Sequence, residues 1–408
     1  MSWIFVFFIH FGTFSYSVLF LILKQIDPLY IAEVSPAKHR GELVTWSEIA
    51  LNLGIVFGFS TGLTLASFDD DLEWRVMFSL GLILPVAMIF LVLFVMPESP
   101  RWLVAKGRID DAREILQKIY PTAYDTEPVV QDIQEALERE EAAEHAIGWR
   151  VVFSPTPAIR RMLWVGVGTA IAQQAVGIDA IQYYLKDLLD QSGDFTESQE
   201  NGILLGLGII KLVFIFVGGK LFDRRGRRPL FFMSLLGMAA ATLVISLSFF
   251  IATRVSTGFI ITGLAFYLAF FSTGMGPGAW LIPSEVFATC IRAKAMSVAT
   301  FSNRVVATIM SSTFLSTASA MGWGGFFLML CIICLVVAAF LYFYLPETRG
   351  RSLEDMSVYF AEITGDKSIL EAEAAILERR EKGIEIRGSG GSSRSESGLF
   401  QPPEAEMT

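Results

Sequence analysis

The chain has 408 residues, of which 53% are hydrophobic and 13% aromatic, while charged residues reach only 18% and the mean hydropathy is +0.52. That balance excludes an ordinary soluble domain and points to a polytopic membrane protein in a lipid bilayer. The net charge of −9 argues against nucleic acid or anionic lipid as a partner of the molecule as a whole, because the acidic excess lies mostly in loops and the tail.

Nine runs of about 20 apolar residues define candidate spans: 3–23, 43–68, 74–96, 162–188, 203–222, 230–251, 259–282, 295–316 and 326–345. The first run lacks the basic start and small-residue cleavage site of a signal peptide. Basic residues gather at Lys38 and Arg40, at Arg101 to Arg113, at Arg160 and Arg161, and at Arg224 to Arg228. Those loops are expected in the cytoplasm, and the acidic loops around Asp70 and Asp190 outside. Alternation then puts the C-terminus in the cytoplasm and, with nine spans, the N-terminus outside.

Residues 101–160 are too polar to cross a bilayer, but 108–120 and 129–145 place apolar residues at helical spacing among paired charges. The spacing predicts short amphipathic helices, as a solvated connector or a gating element. Beyond Met356 a surface helix is expected over 366–382, and the Gly-, Ser- and Pro-rich end from about 388 is expected to be disordered.

Within the fourth run, 173–184 carries Gln173, Gln174, Asp179, Tyr183 and Tyr184 around Gly177. Polar groups at membrane depth need a partner or water, so this cluster predicts a polar cavity or hydrogen bonds to neighbouring helices. An unbroken helix carries Asp179 well round from the glutamines; a break at Gly177 turns all three toward one lumen. Lys211, Glu48 and Arg304 are further charges within or near the ends of spans, and Asp179 and Lys211 are expected to pair across the lumen. Cys290, Cys331 and Cys334 are the only cysteines and give no disulfide framework; His10, His39 and His145 are scattered, so no metal site is expected. The spans show no nucleophile beside a base and no metal-ligand pattern, so neither an enzyme nor a cofactor is expected.

Two pairs of matching motifs reveal an internal repeat. Glu33-Val34 with Arg40 matches Glu285-Val286 with Arg292, and Pro97-Glu98-Ser99 matches Pro346-Glu347-Thr348, in each case about 250 residues apart. Parallel halves of this kind are one plan of secondary transporters. Only one apolar run precedes Glu33 whereas in the second half three spans precede the one that ends near Glu285, so about three helices are expected to be missing from the first half.

Taken together these motifs resemble those of the sugar porters of the major facilitator superfamily. The matching stretches are Pro28-Leu-Tyr-Ile-Ala-Glu33 with Arg40-Gly41, Pro97-Glu-Ser-Pro-Arg-Trp-Leu103, Gln173-Gln174 with Gly177, Asp223-Arg-Arg-Gly-Arg-Arg228, Gly276-Pro-Gly-Ala-Trp280 with Pro283-Ser-Glu285, and Pro346-Glu-Thr-Arg-Gly-Arg-Ser352. Glu48, Asp179, Lys211 and Asn303-Arg304 are similar to features of the polyol and monosaccharide proton symporters. The resemblance implies an all-α major facilitator fold in which helices one to three and most of helix four are missing or replaced. It divides the chain into an atypical apolar segment at 1–27, the rest of an N-terminal bundle at 28–100, a cytoplasmic helical linker at 101–160, a C-terminal six-helix bundle at 161–350 and a cytoplasmic tail at 351–408. Residues 1–27 do not resemble the family's fourth helix and read as a wrongly joined exon or a retained intron.

The implied activity is secondary active transport of sugars or polyols by alternating access, coupled to protons, in the plasma membrane. A transport-inactive sugar sensor, or a non-functional truncated product of the same family, stays open as the alternative. By resemblance Gln173, Gln174, Asp179, Trp280 and Asn303 line the substrate site, with Lys211 and Glu48 added from the subgroup. Glu98, Arg101, Asp223, Arg227, Glu285, Arg292, Glu347 and Arg349 lie at span ends, where ion pairs are expected to lock the two halves together. Ser272 stands where some relatives have an acid, so that contact is not carried over. With one wall of the path missing, the 408-residue chain is expected not to transport unaided. Saturable sugar uptake by liposomes holding the purified chain alone would contradict this reading.

Overall fold

The computed structural model describes Tyr30, Val34 and residues 40–65, 70–120, 125–146, 149–193, 195–251, 254–288, 291–348, 353–366 and Leu370. Among the described residues every regular element is helical. The expected run 3–23, the surface helix beyond Asp366 and the disordered end lie outside them. Helix α1 (Arg40–Leu65) and helix α2 (Asp70–Phe94) cover the second and third expected spans. On α2 Phe78, Ile89, Leu93 and Phe94 are all more than half exposed, a surface that hydrocarbon tolerates and water does not.

The polar connector is folded, as its periodicity predicts. Helix α3 (Pro100–Ala105) opens with Ser99 accepting from Trp102 N at 3.2 Å and with proline in its first turn, both ordinary start signals. It meets α4 (Ile109–Ile119) and α5 (Glu127–Ala146) around a small core of Leu103, Val104, Ala112, Leu116 and Val130. Arg113 grips Glu127 with bonds of 2.8 and 3.2 Å, and these hold the Glu127 carboxyl below the usual glutamate range.

After α6 (Arg150–Phe153) comes the main bundle: α7 (Pro157–Ala175), α8 (Ile178–Tyr183), α9 (Leu185–Ser192), α10 (Glu197–Arg225), α11 (Arg227–Ile251), α12 (Arg254–Phe270), α13 (Gly276–Val286) and α14 (Arg292–Tyr344). Helix α14 covers the last two expected spans and bends at Gly322. Helices α7 and α11 pack on α14, with α12 against α11 and α13 against α7. Their shared core holds Tyr267, Phe231, Phe287, Phe314, Phe326 and Phe327, all fully buried. Helix α10 leans on α1, where Asn201 Nδ2 donates to the Gly62 carbonyl at 3.1 Å.

Two spans are broken rather than continuous. A π-turn at Phe271–Met275 separates α12 from α13. Gly218 of α10 lies so close to it that a Cβ there would stand 2.8 Å from the carbonyl oxygens of Ser272 and Thr273. The other break is the one expected at Gly177, whose φ of +89° ends α7 and starts α8 in a new direction. Tyr267 of α12 donates to the Val176 carbonyl at 2.9 Å, replacing a bond that the break removes.

The segment expected as a tail from 351 begins with a helix that packs on the bundle. Helix α15 (Leu353–Thr364) lies against α7 and α13 and buries Met356, Ser357, Phe360 and Ala361. Its apolar face is too short to read as a span and lies just before the polar tail, so the sequence pattern alone assigned it to the tail.

Replacing Gly177 by alanine forces a side chain into the left-handed region, and its Cβ would also come within 3.1 Å of Leu330. The expected cost is about 1–2 kcal/mol, measured as a lower thermal midpoint in detergent, whereas Gly54→Ala, in open space inside α1, does not lower the midpoint.

Candidate functional site

Asn303 on α14 has no exposed surface and is bonded on both sides of its amide. Its Nδ2 donates to the Ala170 carbonyl at 2.7 Å and to Gln173 Oε1 at 2.9 Å, while its Oδ1 accepts a long bond of 3.4 Å from Gln174 Nε2. Gln173 Nε2 in turn donates to the Gly276 carbonyl at 2.9 Å, tying α7 to the start of α13. Three amides thus bind three helices together in an otherwise apolar core. Trp280 lies one turn beyond Gly276 on α13 and is half-buried.

The break at Gly177 turns Asp179 toward the same stretch of α14. There Arg304 NH1 stands 3.7 Å from Asp179 Oδ2, with side chains 19% and 27% exposed. At that separation the contact is an ion pair without a short hydrogen bond. Lys211 of α10 donates to Gln182 Oε1 of α8 at 2.7 Å. The expected pair of Asp179 with Lys211 is therefore corrected: Arg304, adjacent to Asn303, meets the acid, and an amide meets the lysine. Two buried polar atoms flank Asn303 without a protein partner among the described residues, Gln174 Oε1 and Arg304 Nε. Both Gln174 Nε2 and Arg304 NH1 nonetheless have partners, so each side chain is half-used.

Of the remaining candidates, Glu48 lies on α1 and Asp223 on α10, with side chains outside the described residues; Arg349 lies outside them altogether. Of the cationic and acidic groups expected to lock two halves, several meet within the main bundle. Arg227 NH2 meets Glu285 Oε1 at 2.8 Å, and Thr348 Oγ1 donates to Glu285 Oε2 at 2.5 Å. Glu347 accepts from the backbone N–H groups of Arg227 and Arg228 at 3.0 and 3.1 Å, at the N-terminus of α11, where a carboxylate is favoured. Arg292 donates to the Phe287 carbonyl at 3.3 Å. Glu98 and Arg101 sit at the start of α3, outside that clasp.

Sequence reasoning missed Tyr267, Gln182 and Thr348. Tyr267 carried a signal, a lone phenol in the apolar run 259–282. Gln182 carried one too, as a third amide in the polar stretch 173–184.

Residues 22–360 match the family model described as sugar (and other) transporter. The chain belongs to this transporter family. A sugar transporter family member of this kind is a multi-pass membrane protein and not an enzyme. "Probable polyol transporter 4" of Arabidopsis thaliana is 37% identical over 339 residues, covering 82% of this chain and 64% of that relative. "Polyol transporter 5" of the same plant is 33% identical over 377 residues, covering 87% of this chain and 69% of its own length. The chain thus spans about two thirds of the length of these relatives. Among solved structures, the proton:xylose symporter XylE bound to 6-bromo-6-deoxy-D-glucose is 28% identical with a TM-score of 0.63, over 82% of this chain and 70% of that one. An inward-open conformation of XylE from E. coli gives a TM-score of 0.67 at 27% identity, over 81% and 68%. The fold is that of the major facilitator superfamily, and the chain resembles its polyol subgroup.

If Asp179 and Arg304 act as a pair, Asp179→Asn and Arg304→Met each destabilise the protein, and the double variant loses less than the sum. The expected coupling is about 0.5–3 kcal/mol by thermal denaturation in detergent, while Asp179→Asn with Lys211→Met is additive. Additivity in the arginine cycle would remove the pair.

Proposed function

We propose that this chain is part of a secondary active carrier that moves sugars or polyols by alternating access, coupled to protons. The observation that carries the reading is the amide clasp of Gln173, Gln174 and Asn303 at the break in the α7–α8 span. Amides both donate and accept, so they exchange bonds with hydroxyls in either sense, which suits a neutral polyhydroxylated ligand. The half-used groups Gln174 Oε1 and Arg304 Nε supply one further acceptor and one donor once side chains rearrange around a ligand. Trp280 offers an apolar ring to C–H surfaces. Lys211 and Glu48 complete the substrate set, and Asp179 has its charge held by Arg304.

Polyol transport is the activity in the relatives' names, and proton coupling is in the name of XylE. The Arg227–Glu285 clasp, with Glu347 on the α11 N-terminus, is the candidate gate, because breaking it frees α11 from α13 at one end of the bundle. Arg292, Arg349, Asp223, Glu98 and Arg101 belong to the same end. In this reading that end and the C-terminus lie in the cytoplasm of a plasma-membrane protein, an orientation that the basic loops support.

The test is uptake. In a host lacking its own hexose and polyol carriers, the full-length product of the transcript is expected to give saturable uptake of a hexitol or pentose that collapses with a protonophore. Gln173→Ala and Asn303→Ala are each expected to lower apparent substrate affinity about tenfold, the loss of one or two ligand hydrogen bonds. Uptake that ignores both substitutions would move the site elsewhere.

A further inference from the structure

The clasped end of the bundle carries a second cationic group that the transport reading does not use. Arg160 and Arg161 in the first turns of α7, and Arg228 at the start of α11, make no ion pair with any described carboxylate. Their neighbour Arg227 differs in being held by Glu285. The guanidinium groups of Arg161 and Arg228 are held instead by aromatic faces and by carbonyls at the end of α14. Arg161 lies 4.4 Å from the Tyr344 ring centroid, and Arg228 lies 5.3 Å from that of Tyr342 while donating to the Tyr342 carbonyl at 2.7 Å. Arg160 is exposed and has no contact of either kind.

Two adjoining cavities open between these arginines. One, of about 450 Å³, is lined by Arg160, Arg161, Trp164, Phe340 and Tyr344; the other, of about 300 Å³, by Arg161, Arg228 and Tyr342. Glu347 borders the second cavity, but both its oxygens accept from backbone N–H groups of α11. Asp366, at the mouth of α7, caps the Ala158 N–H at 3.2 Å. Trp164, Tyr342 and Phe343 are mostly exposed on the outer surface of the bundle, which is the composition of a membrane–water interface. A chain of net charge −9 is not drawn to anionic lipid by its overall field, but screening confines that field to about 8–10 Å, and the cavities themselves are lined by three arginines and one carboxylate, Glu347, which is already bonded.

We propose that these cavities hold the headgroup of an anionic phospholipid, with its phosphate between Arg160 and Arg161 and its acyl chains along Trp164 and Phe340. Arg228 reaches the headgroup from the second cavity. The guanidinium fork matches phosphate oxygens, and ring stacking orders Arg161 and Arg228 in advance, with Arg160 free to close on the phosphate. The proposal is independent of the transport reading and predicts binding whether or not the chain moves a solute.

Purified full chain in a zwitterionic detergent can be titrated with short-chain phosphatidylglycerol, short-chain phosphatidylcholine and inorganic phosphate. Saturable binding is expected for phosphatidylglycerol alone. Removing one arginine should weaken it about fivefold and Arg160→Gln with Arg161→Gln roughly 25-fold. Arg160→Gln touches no intraprotein contact, so it reports even if the double variant fails to fold. Equal binding of phosphatidylcholine would make the surface a generic lipid face, and equal binding of inorganic phosphate a headgroup-free anion site. Unchanged phosphatidylglycerol affinity in Arg160→Gln and Arg161→Gln would leave the arginines a purely topogenic role. Any of these three results overturns the proposal.

Discussion

A polar group inside a bilayer must find its partner within the protein, and the structure is arranged around that constraint. Breaking the fourth span at Gly177 frees a carbonyl, and Tyr267 meets it from another helix. The same break brings Gln173, Gln174 and Asp179 to one short stretch of α14, where Asn303 takes the amides and Arg304 the carboxylate. Interhelical bonds of this kind contribute about 0.6 kcal/mol each on average, so their number matters less to stability than their fixing of one register between α7, α13 and α14.

The opposite end of the bundle uses charge differently. Arg227, Glu285, Glu347 and Thr348 satisfy one another, and the carboxylate of Glu347 complements the positive end of α11. Buried ion pairs add little net stability over apolar packing, but separating one leaves an unpaired charge. Such a clasp is well suited to having two states, closed or fully hydrated. A few residues away Arg161 and Arg228 lie on aromatic rings and Arg160 is exposed beside them, so one end of the bundle combines a self-contained charge network with an open cationic one.

The polar connector shows the same economy on a smaller scale. A small core of Leu103, Leu116 and Val130 with the Arg113–Glu127 clamp gives α3, α4 and α5 an internal reason to fold.

Much of this was legible in the sequence because membrane spans are read from one-dimensional hydropathy, and polar residues inside them stand out against it. The long apolar helices, the break at Gly177 and the polar cluster around Gln173 and Gln174 follow from residue type and spacing, whereas Asn303 joined them only through the family resemblance. Partner choice does not. Asp179 meets Arg304 and not Lys211 because the turn at φ +89° sets the direction of α8, and the local pattern does not encode that direction. The clasp within one bundle, the Tyr267 bond and the docking of α15 likewise depend on how helices distant in sequence cross. Hydropathy determined which segments enter the bilayer; only the packed helices decided which polar groups meet, because each such contact joins residues from separate spans whose relative rotation is fixed by the whole core.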